Sequence, residues 1–191
     1  MRICVYGASS DAIDPVFIEM GEALGEMMAE RGHELIFGGG AHGMMGAVAR
    51  GMTKKGGRIT GVAPSFFQVD GVLYEQCDEF LYTETMRERK QLMEDRADAF
   101  IMTAGGIGTL EEFFEILTLR QLGRHNKPIA VLNTDGYYDA VTKMLETAVE
   151  RKFMQSANLS LFGTFEDAAA LLDYLETADG ETADVRKMKF F

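Results

Sequence analysis

Cysteine, positive charge and long hydrophobic runs are all scarce in this sequence, and each scarcity excludes a class of protein. The two cysteines, Cys4 and Cys77, lie in apolar stretches and are too few for a disulfide framework or a cysteine-rich metal site. Lys and Arg number 19 against 30 Asp and Glu, and the net charge of −11 argues against general nucleic-acid binding. No apolar run approaches the ~18 residues of a membrane helix, and the N-terminus lacks the basic and apolar regions of a signal peptide. We therefore expect a cytoplasmic protein with no membrane, nucleic-acid or metal partner.

The length and composition are those of one folded domain. With 191 residues, of which 47% are hydrophobic and 26% charged, the chain is long enough to bury a sizeable core. No linker, internal repeat or low-complexity tract divides it. We predict one domain over residues 1–176 and a loose, charged tail over 177–191.

Strand and helix patterns alternate along most of the chain. Strands are predicted at 2–6, 34–37, 59–63, 78–82, 99–103, 128–132 and 160–162. Helices are predicted from Pro15 to just before Gly32, then at 44–54, 87–97, 110–122, 137–151 and 165–175, and the segment 65–76 is irregular. This alternation predicts a doubly wound, mostly parallel, Rossmann-like α/β sheet with helices on both faces. Ligands of such sheets bind beyond the carboxyl ends of the strands, so the glycine-rich turns after strands are the candidate sites.

The turn 38–43 has the pattern G-x-G-x-x-G between a strand and a helix. A dinucleotide site would also have an acid at the end of the next strand, but that strand ends in Val62-Ala63-Pro64. Two readings remain: glycines that permit a tight turn, or a loop that lines another nucleotide site. We interpret His42 as a residue that packs within the loop.

The turn 104–109 follows an apolar strand and opens a strongly patterned helix. Its three glycines let backbone N–H groups converge on an anion, the helix N-terminus adds positive charge, and Thr109 adds a hydroxyl. No Lys-Ser/Thr pair follows the glycines, so it is not a Walker loop. The spacing of Thr109 and Glu112 is also that of a capping box, and the pattern alone leaves both readings open.

Arg87, Arg89 and Lys90 form a local basic patch in an acidic protein. Arginine and lysine side chains suit phosphate or ribose. A solvated helix face with Glu88 between the cations is the alternative reading, and Met86 has the character of a core residue.

Taken together, these motifs resemble those of a known family. Met86-x-x-Arg89-Lys90 and Gly105-Gly106-x-Gly108-Thr109-x-x-Glu112 are similar to the paired signatures of the Lonely Guy (LOG) proteins, cytokinin riboside 5′-monophosphate phosphoribohydrolases that are often misnamed lysine decarboxylases. The resemblance extends in order over about residues 3–175. The chain departs from the family pattern at Ala104, where proline is usual, and at Arg87, where histidine is usual.

The resemblance implies hydrolysis of the N-glycosidic bond of a nucleoside 5′-monophosphate, such as AMP or an N6-substituted AMP, to free base and ribose 5-phosphate without a cofactor. Glu112 and Arg89 are the implied catalytic residues, because a carboxylate can stabilise an oxocarbenium-like ribose and activate water. The implied substrate-binding residues are Gly7, Ser9, Ser10, Gly39, Gly40, Gly43, Met86, Arg87, Lys90, Gly105, Gly106, Ile107, Gly108 and Thr109.

Alternatives come from other classes of protein. A non-catalytic nucleotide sensor or carrier on the same fold would keep the phosphate loop without needing both Glu112 and Arg89. A pyridoxal-phosphate decarboxylase would need a Schiff-base lysine and normally a larger chain.

The helix at 110–122 has a wider apolar surface than a one-sided helix needs. With the resemblance, this predicts a homodimer or larger even-numbered assembly, anchored by Phe113 or Phe114.

Overall fold

The structure is a computed structural model that describes residues 1–178 together with Gly180, Asp184 and Met188. In these residues it has seven strands, β1 Arg2–Tyr6, β2 Glu34–Phe37, β3 Ile59–Pro64, β4 Glu79–Thr83, β5 Ala99–Met102, β6 Ile129–Leu132 and β7 Gly163–Phe165. The six helices are α1 Pro15–Glu30, α2 Gly43–Lys54, α3 Met86–Arg96, α4 Ile107–Gln121, α5 Asp139–Glu150 and α6 Ala168–Thr177. None of the helices in the described residues is long and apolar enough to cross a membrane.

All seven strands pair in parallel, in the order β4-β3-β2-β1-β5-β6-β7. The predicted doubly wound α/β fold is therefore confirmed. In the register, Cys4 of β1 pairs with Ile36 of β2 on one side and with Phe100 of β5 on the other. The strand order reverses between β1 and β5, so a crevice opens beyond the carboxyl ends of these two strands.

The core lies on both faces of the sheet, because the central strands are apolar on both sides. One cluster packs α1, α2 and α6 on one face, with Leu24, Val48 and Leu171 among its buried residues. The other packs α3, α4 and α5 on the opposite face, with Met93 and Phe113 at its centre. The two layers hold the N-termini of α2, α3 and α4 around the same crevice.

The last strand and helix begin later than the sequence predicts. The predicted strand at 160–162 is wrong, because 156–161 forms a 3-10 segment and β7 pairs with β6 through Gly163 opposite Ala130. Helix α6 begins at Ala168, because the Asp167 side chain caps it by accepting the N–H of Ala170. It continues to Thr177, one residue past the predicted domain end. Most of the predicted loose tail lies outside the described residues.

Candidate active site

A cavity of about 760 Å³ occupies the crevice beyond the carboxyl ends of β1, β2 and β5. Its walls come from the loop after β1, the turn after β2, residues 65–76 (here called the strap), the first turns of α3 and α4, and the loop before α4. The lining residues are Gly7, Ala8, Ser9, Ser10, Gly38, Gly40, His42, Met45, Phe67, Asp70, Gly71, Val72, Leu73, Met86, Arg89, Gly106, Gly108, Thr109 and Glu112.

Glu112 and Arg89, from two different helices, meet as an ion pair at the floor of this cavity. Arg89 Nη1 donates to Glu112 Oε1 over 2.9 Å, and only 9% and 11% of the two side chains are exposed. Arg89 Nε also donates to the carbonyl of Val62. Gly38 makes this arrangement possible, because a Cβ at that position would lie 2.0 Å from Arg89 Nη2. The two predicted catalytic residues thus share one buried site.

Burial shifts the titration of the Glu112 carboxyl group. Loss of solvation raises its pKa above the ordinary glutamate value, and the positive charge and hydrogen bond of Arg89 only partly offset this effect. A carboxyl group with a raised pKa, one-tenth exposed in a cavity, is suited to exchange a proton or to face a developing positive charge.

Helix α4 presents a free N-terminus to the cavity. It begins at Ile107, so Thr109 lies inside its first turn, and of the two readings of the Thr109 and Glu112 spacing the capping box is wrong. The N–H groups of the first turn have no acceptor within the helix and are available to an anion. Gly106 and Gly108 line the cavity, and a Cβ at either position would meet no protein atom within 4 Å. This leaves room for a phosphate at the start of the helix.

The N-terminus of α2, in contrast, already has an anionic partner. The N–H of Gly43 donates to Asp11 Oδ1 over 2.7 Å. Gly43 has a φ of +58°, and a Cβ there would lie 2.5 Å from the carbonyl of Ala8, so glycine lets the loop after β1 pack against the helix start. The turn 38–43 therefore lines the cavity without offering a free anion site at its helix.

A capping box that the sequence analysis missed begins α3. The Thr85 hydroxyl accepts the N–H of Glu88, and the Glu88 carboxylate accepts the N–H of Thr85. The Thr-x-x-Glu spacing before the helix was a detectable signal for it. This cap fixes the first turn of α3 and places Met86 and Arg89 on the cavity side.

The three cations of the predicted basic patch point in different directions from α3. Arg89 alone enters the cavity, while Lys90 lies outside it and pairs with Glu111 and Glu115 of α4. Arg87 is exposed in a shallow groove with Gln91 and Asp95. Successive helical residues point in directions about 100° apart, so three neighbouring cations do not converge on one ligand.

Six of the predicted substrate-binding residues therefore lie outside the cavity lining: Gly39, Gly43, Arg87, Lys90, Gly105 and Ile107. Ile107 is 89% exposed, and the space beside Gly105 is filled by the Thr109 side chain. The other predicted residues, Gly7, Ser9, Ser10, Gly40, Met86, Arg89, Gly106, Gly108, Thr109 and Glu112, line it.

The strap supplies most of the cavity lining that the sequence did not predict; the other such residues are Ala8, Gly38, His42 and Met45. It contributes Phe67, Asp70, Gly71, Val72 and Leu73 to the cavity wall. Two backbone hydrogen bonds attach the strap to the turn after β2. The N–H of Ala41 donates to the carbonyl of Val72, and the N–H of Tyr74 donates to the carbonyl of Gly39. The strap has no helical or strand periodicity, so no local signal connects it to the site.

The described residues contain no group of three or more His, Cys, Asp or Glu that could hold a metal ion. The fold and the cavity define the class: a Rossmann-like α/β protein whose switch-point crevice combines a free helix N-terminus with a buried carboxylate–guanidinium pair. This combination suits an anionic ligand held next to an acid–base group.

Comparison with known proteins makes the assignment specific. The protein family described as "Possible lysine decarboxylase" matches residues 45–175. "Probable cytokinin riboside 5'-monophosphate phosphoribohydrolase LOG4" of Oryza sativa subsp. japonica is 38% identical over 176 residues, covering 92% of this chain and 76% of the relative. "Cytokinin riboside 5'-monophosphate phosphoribohydrolase LOG7" of Arabidopsis thaliana is 35% identical over 184 residues, covering 96% and 85%. The chain belongs to the LOG family.

Solved structures of more distant proteins share the fold. The molybdenum cofactor binding protein of Rippkaea orientalis matches with a TM-score of 0.71 at 20% identity, over 92% of this chain and 95% of that one. The molybdenum cofactor carrier protein of Chlamydomonas reinhardtii matches with a TM-score of 0.69 at 20% identity, over 93% and 98%. At such identity the likeness establishes the architecture alone.

Proposed function

We propose that this protein hydrolyses the N-glycosidic bond of a nucleoside 5′-monophosphate, AMP or an N6-substituted AMP of the cytokinin type, to free base and ribose 5-phosphate. The observation that carries the proposal is the buried Glu112–Arg89 pair in the same cavity as the free N-terminus of α4. The curated relatives named as phosphoribohydrolases for cytokinin riboside 5′-monophosphates support the same chemistry.

In this proposal each wall of the cavity binds one part of the substrate. The 5′-phosphate binds the N–H groups at the start of α4, which supply the positive charge that Arg87 and Lys90 do not bring to the cavity. The phosphate then holds the ribose over Glu112, so that its binding energy serves the distant reacting bond. The base lies against the apolar side chains of Met45, Phe67 and Leu73.

Glu112 acts on the bond that breaks. As the bond to the base lengthens, positive charge develops on the ribose, and the ionised carboxylate of Glu112 stabilises it. The same carboxylate orients the attacking water and accepts its proton. Arg89 holds Glu112 through its 2.9 Å hydrogen bond and keeps the carboxylate oriented in the cavity.

Base release from a panel of nucleotides and nucleosides tests this proposal. We expect AMP to be cleaved with a kcat/KM at least about 100-fold above that of adenosine, because adenosine lacks the phosphate that the helix start binds. Chromatography of the free base, with ribose 5-phosphate measured in parallel, gives the rates. Equal kcat/KM values for the two compounds would contradict the anchoring by phosphate. Tight binding of AMP without base release would instead favour a sensor or carrier.

A homodimer through α4 remains part of the proposal, with one correction. Phe113 is only 1% exposed and packs inside the chain against Phe114 and Phe162, so it is not available as an interface anchor. Phe114 is half-buried, and Leu122 is exposed just after the helix. The remaining apolar surface of α4 suits a twofold contact that buries at least ~1,200 Å².

Phe114→Asp should convert the assembly to monomers and lower base release together, because a charge at the contact is costly to bury. Met144→Asp, at an exposed apolar position on α5, is the matched control and should change neither. Sedimentation at micromolar concentration gives the mass. A wild-type protein that sediments as a fully active monomer would remove the dimer from the proposal.

The remaining parts of the proposal are a single domain over 1–176, a cytoplasmic location and the absence of a nucleic-acid partner. The net charge of −11 supports the last of these, because nucleic-acid binding proteins displace phosphate counterions with positive charge.

A further inference from the structure

His42 lies at the rim of the cavity between two hydrogen-bond acceptors. Its Nδ1 contacts Asp11 Oδ2 at 2.5 Å, and its Nε2 contacts the carbonyl oxygen of Gly71 at 2.9 Å. A carbonyl oxygen and an ionised carboxylate can each accept a hydrogen bond, but neither can donate one. A neutral imidazole has one N–H, so both bonds exist together only when the ring is protonated on both nitrogens.

The charge state of Asp11 supports this assignment. Its other oxygen accepts the backbone N–H of Gly43, and this bond, followed by the contact with His42, holds the pKa of Asp11 below the ordinary aspartate value. Asp11 is therefore ionised at neutral pH and offers no proton to the ring. The donor in the contact between the two side chains is His42.

Through these two bonds His42 joins three segments that line the cavity: the loop after β1, the turn after β2 and the strap. Residues 72–74 of the strap are also held by backbone bonds to the turn after β2. The N–H of Val72 donates to the carbonyl of Val69 within the strap. Among the described residues, the side-chain hydrogen bond that joins residues 65–71 to a segment outside the strap is the one from His42 to the Gly71 carbonyl. Phe67 and Asp70, which line the cavity, belong to this loosely attached half.

We propose that His42 is a positioning residue whose imidazolium form bridges Asp11 and Gly71, holds residues 65–71 against the cavity and so sets the affinity for the base of the nucleotide. When the ring loses a proton, one of the two bonds is lost and Phe67 is no longer held in the wall. The affinity part of this inference rests on the proposed function, whereas the bridge and its effect on the strap do not.

The charges around the ring give the direction of the pH dependence. The Gly71 carbonyl and the Asp11 carboxylate raise the pKa of His42 above the ordinary value of 6.5, and Arg50 on α2 opposes them. Asp70, next to Gly71 on the strap, adds a further negative charge. The bridge is complete below the raised pKa and is lost as the pH rises through it, above pH 6.5.

A tryptophan on the strap reports this bridge without any substrate. The chain has no tryptophan, and Phe66 is 59% exposed and outside the cavity lining, so Phe66→Trp introduces a single reporter. We expect its fluorescence to titrate with a midpoint above 6.5. Phe153→Trp, at an exposed position far along the chain from the strap, is the control and should show no such transition.

Asp11→Asn in the reporter background separates a hydrogen-bond bridge from a merely structural role. In this variant the oxygen of the introduced asparagine side chain would still accept the Gly43 N–H, as the aspartate does. The side-chain amide N–H would donate to Nδ1 of a neutral His42 ring, and the Nε2–H of that ring would still donate to the Gly71 carbonyl. We expect the pH dependence to invert, with the strap held at high pH and released on acidification. A flat signal from pH 6 to 9, or the same titration in wild-type and Asp11→Asn backgrounds, would overturn the proposal.

Kinetics gives the second readout. For the wild-type protein we expect KM for the nucleotide to rise about threefold to tenfold through the transition, which is the equivalent of one hydrogen bond, while kcat stays constant. The Asp11→Asn variant should lack this rise, and comparison at each pH cancels the ionisation of the substrate phosphate. A strap titration without base release from any nucleotide would refute the proposed function alone. Base release with a KM that does not follow the strap signal would refute the role of His42 in affinity.

Discussion

We expect Glu112→Gln to lower kcat for base release by about 100-fold or more, the usual scale for a positioned acid–base group, and to leave KM for the nucleotide close to its wild-type value. Glutamine has nearly the shape of glutamate and keeps an oxygen for the 2.9 Å hydrogen bond from Arg89. It cannot carry the negative charge that the developing ribose cation requires, nor accept the proton of the attacking water. Single-turnover base release at saturating AMP measures the loss.

Glu111→Gln is the matched control. Glu111 precedes Glu112 on α4 but points outward and pairs with Lys90, so its loss should change kcat little. The midpoint of thermal unfolding, measured for both variants, shows whether Glu112→Gln destabilises the fold by leaving the buried Arg89 without its negative partner. A folded Glu112→Gln protein with wild-type kcat would remove Glu112 from the mechanism.

The pH profile of kcat/KM provides a second test of the same residue. Burial raises the pKa of Glu112, so its ionised fraction falls at a higher pH than for an ordinary glutamate. Since the mechanism uses the carboxylate, activity should fall on acidification with a midpoint above 4.5, and this limb should be absent in Glu112→Gln. A limb at or below 4.5 in the wild-type protein would show that another group limits the rate.

Gly108→Val should raise KM for AMP by at least about 100-fold, or abolish measurable binding, because it fills the space assigned to the phosphate. A Cβ at Gly108 meets no protein atom within 4 Å, and the residue lines the cavity, so the new side chain displaces the ligand and not the protein. Isothermal titration with AMP and base release under the same conditions measure the effect.

Ile107→Ala, one residue earlier and fully on the solvent side, serves as the control and should bind AMP normally. Gly105→Val is a poorer test, because its Cβ would collide with the Thr109 side chain and disturb the helix start itself. Normal AMP binding by a folded Gly108→Val protein would place the phosphate away from the N-terminus of α4.

The two residues proposed to carry the chemistry could be selected from the sequence, but their surroundings were predictable only in part. Arg89 and Glu112 stand in short motifs whose spacing is visible in the chain, and the structure places them 2.9 Å apart, a contact that the sequence did not predict. The cap on Thr109 was wrong, because the helix begins three residues before the predicted start and encloses that residue. Lys90 was misplaced for a related reason: the acids that neutralise it belong to another helix, and no local pattern shows such a partner.

The sequence by itself determined the alternation of strands and helices, the glycine turns after strands and the presence of a carboxylate and an arginine beside them, because each of these depends on local spacing. Only the tertiary structure decided which helix N-terminus is free. The Asp11 carboxylate binds the N-terminus of α2, whereas the N-terminus of α4 at Gly106 has no side-chain cap. Packing between distant segments likewise decided that Gly38 leaves space for the Arg89 guanidinium and that His42 hydrogen-bonds to the strap. A cavity wall is built from residues far apart in the chain, and their contact follows from the order of the strands and not from any repeat in the sequence.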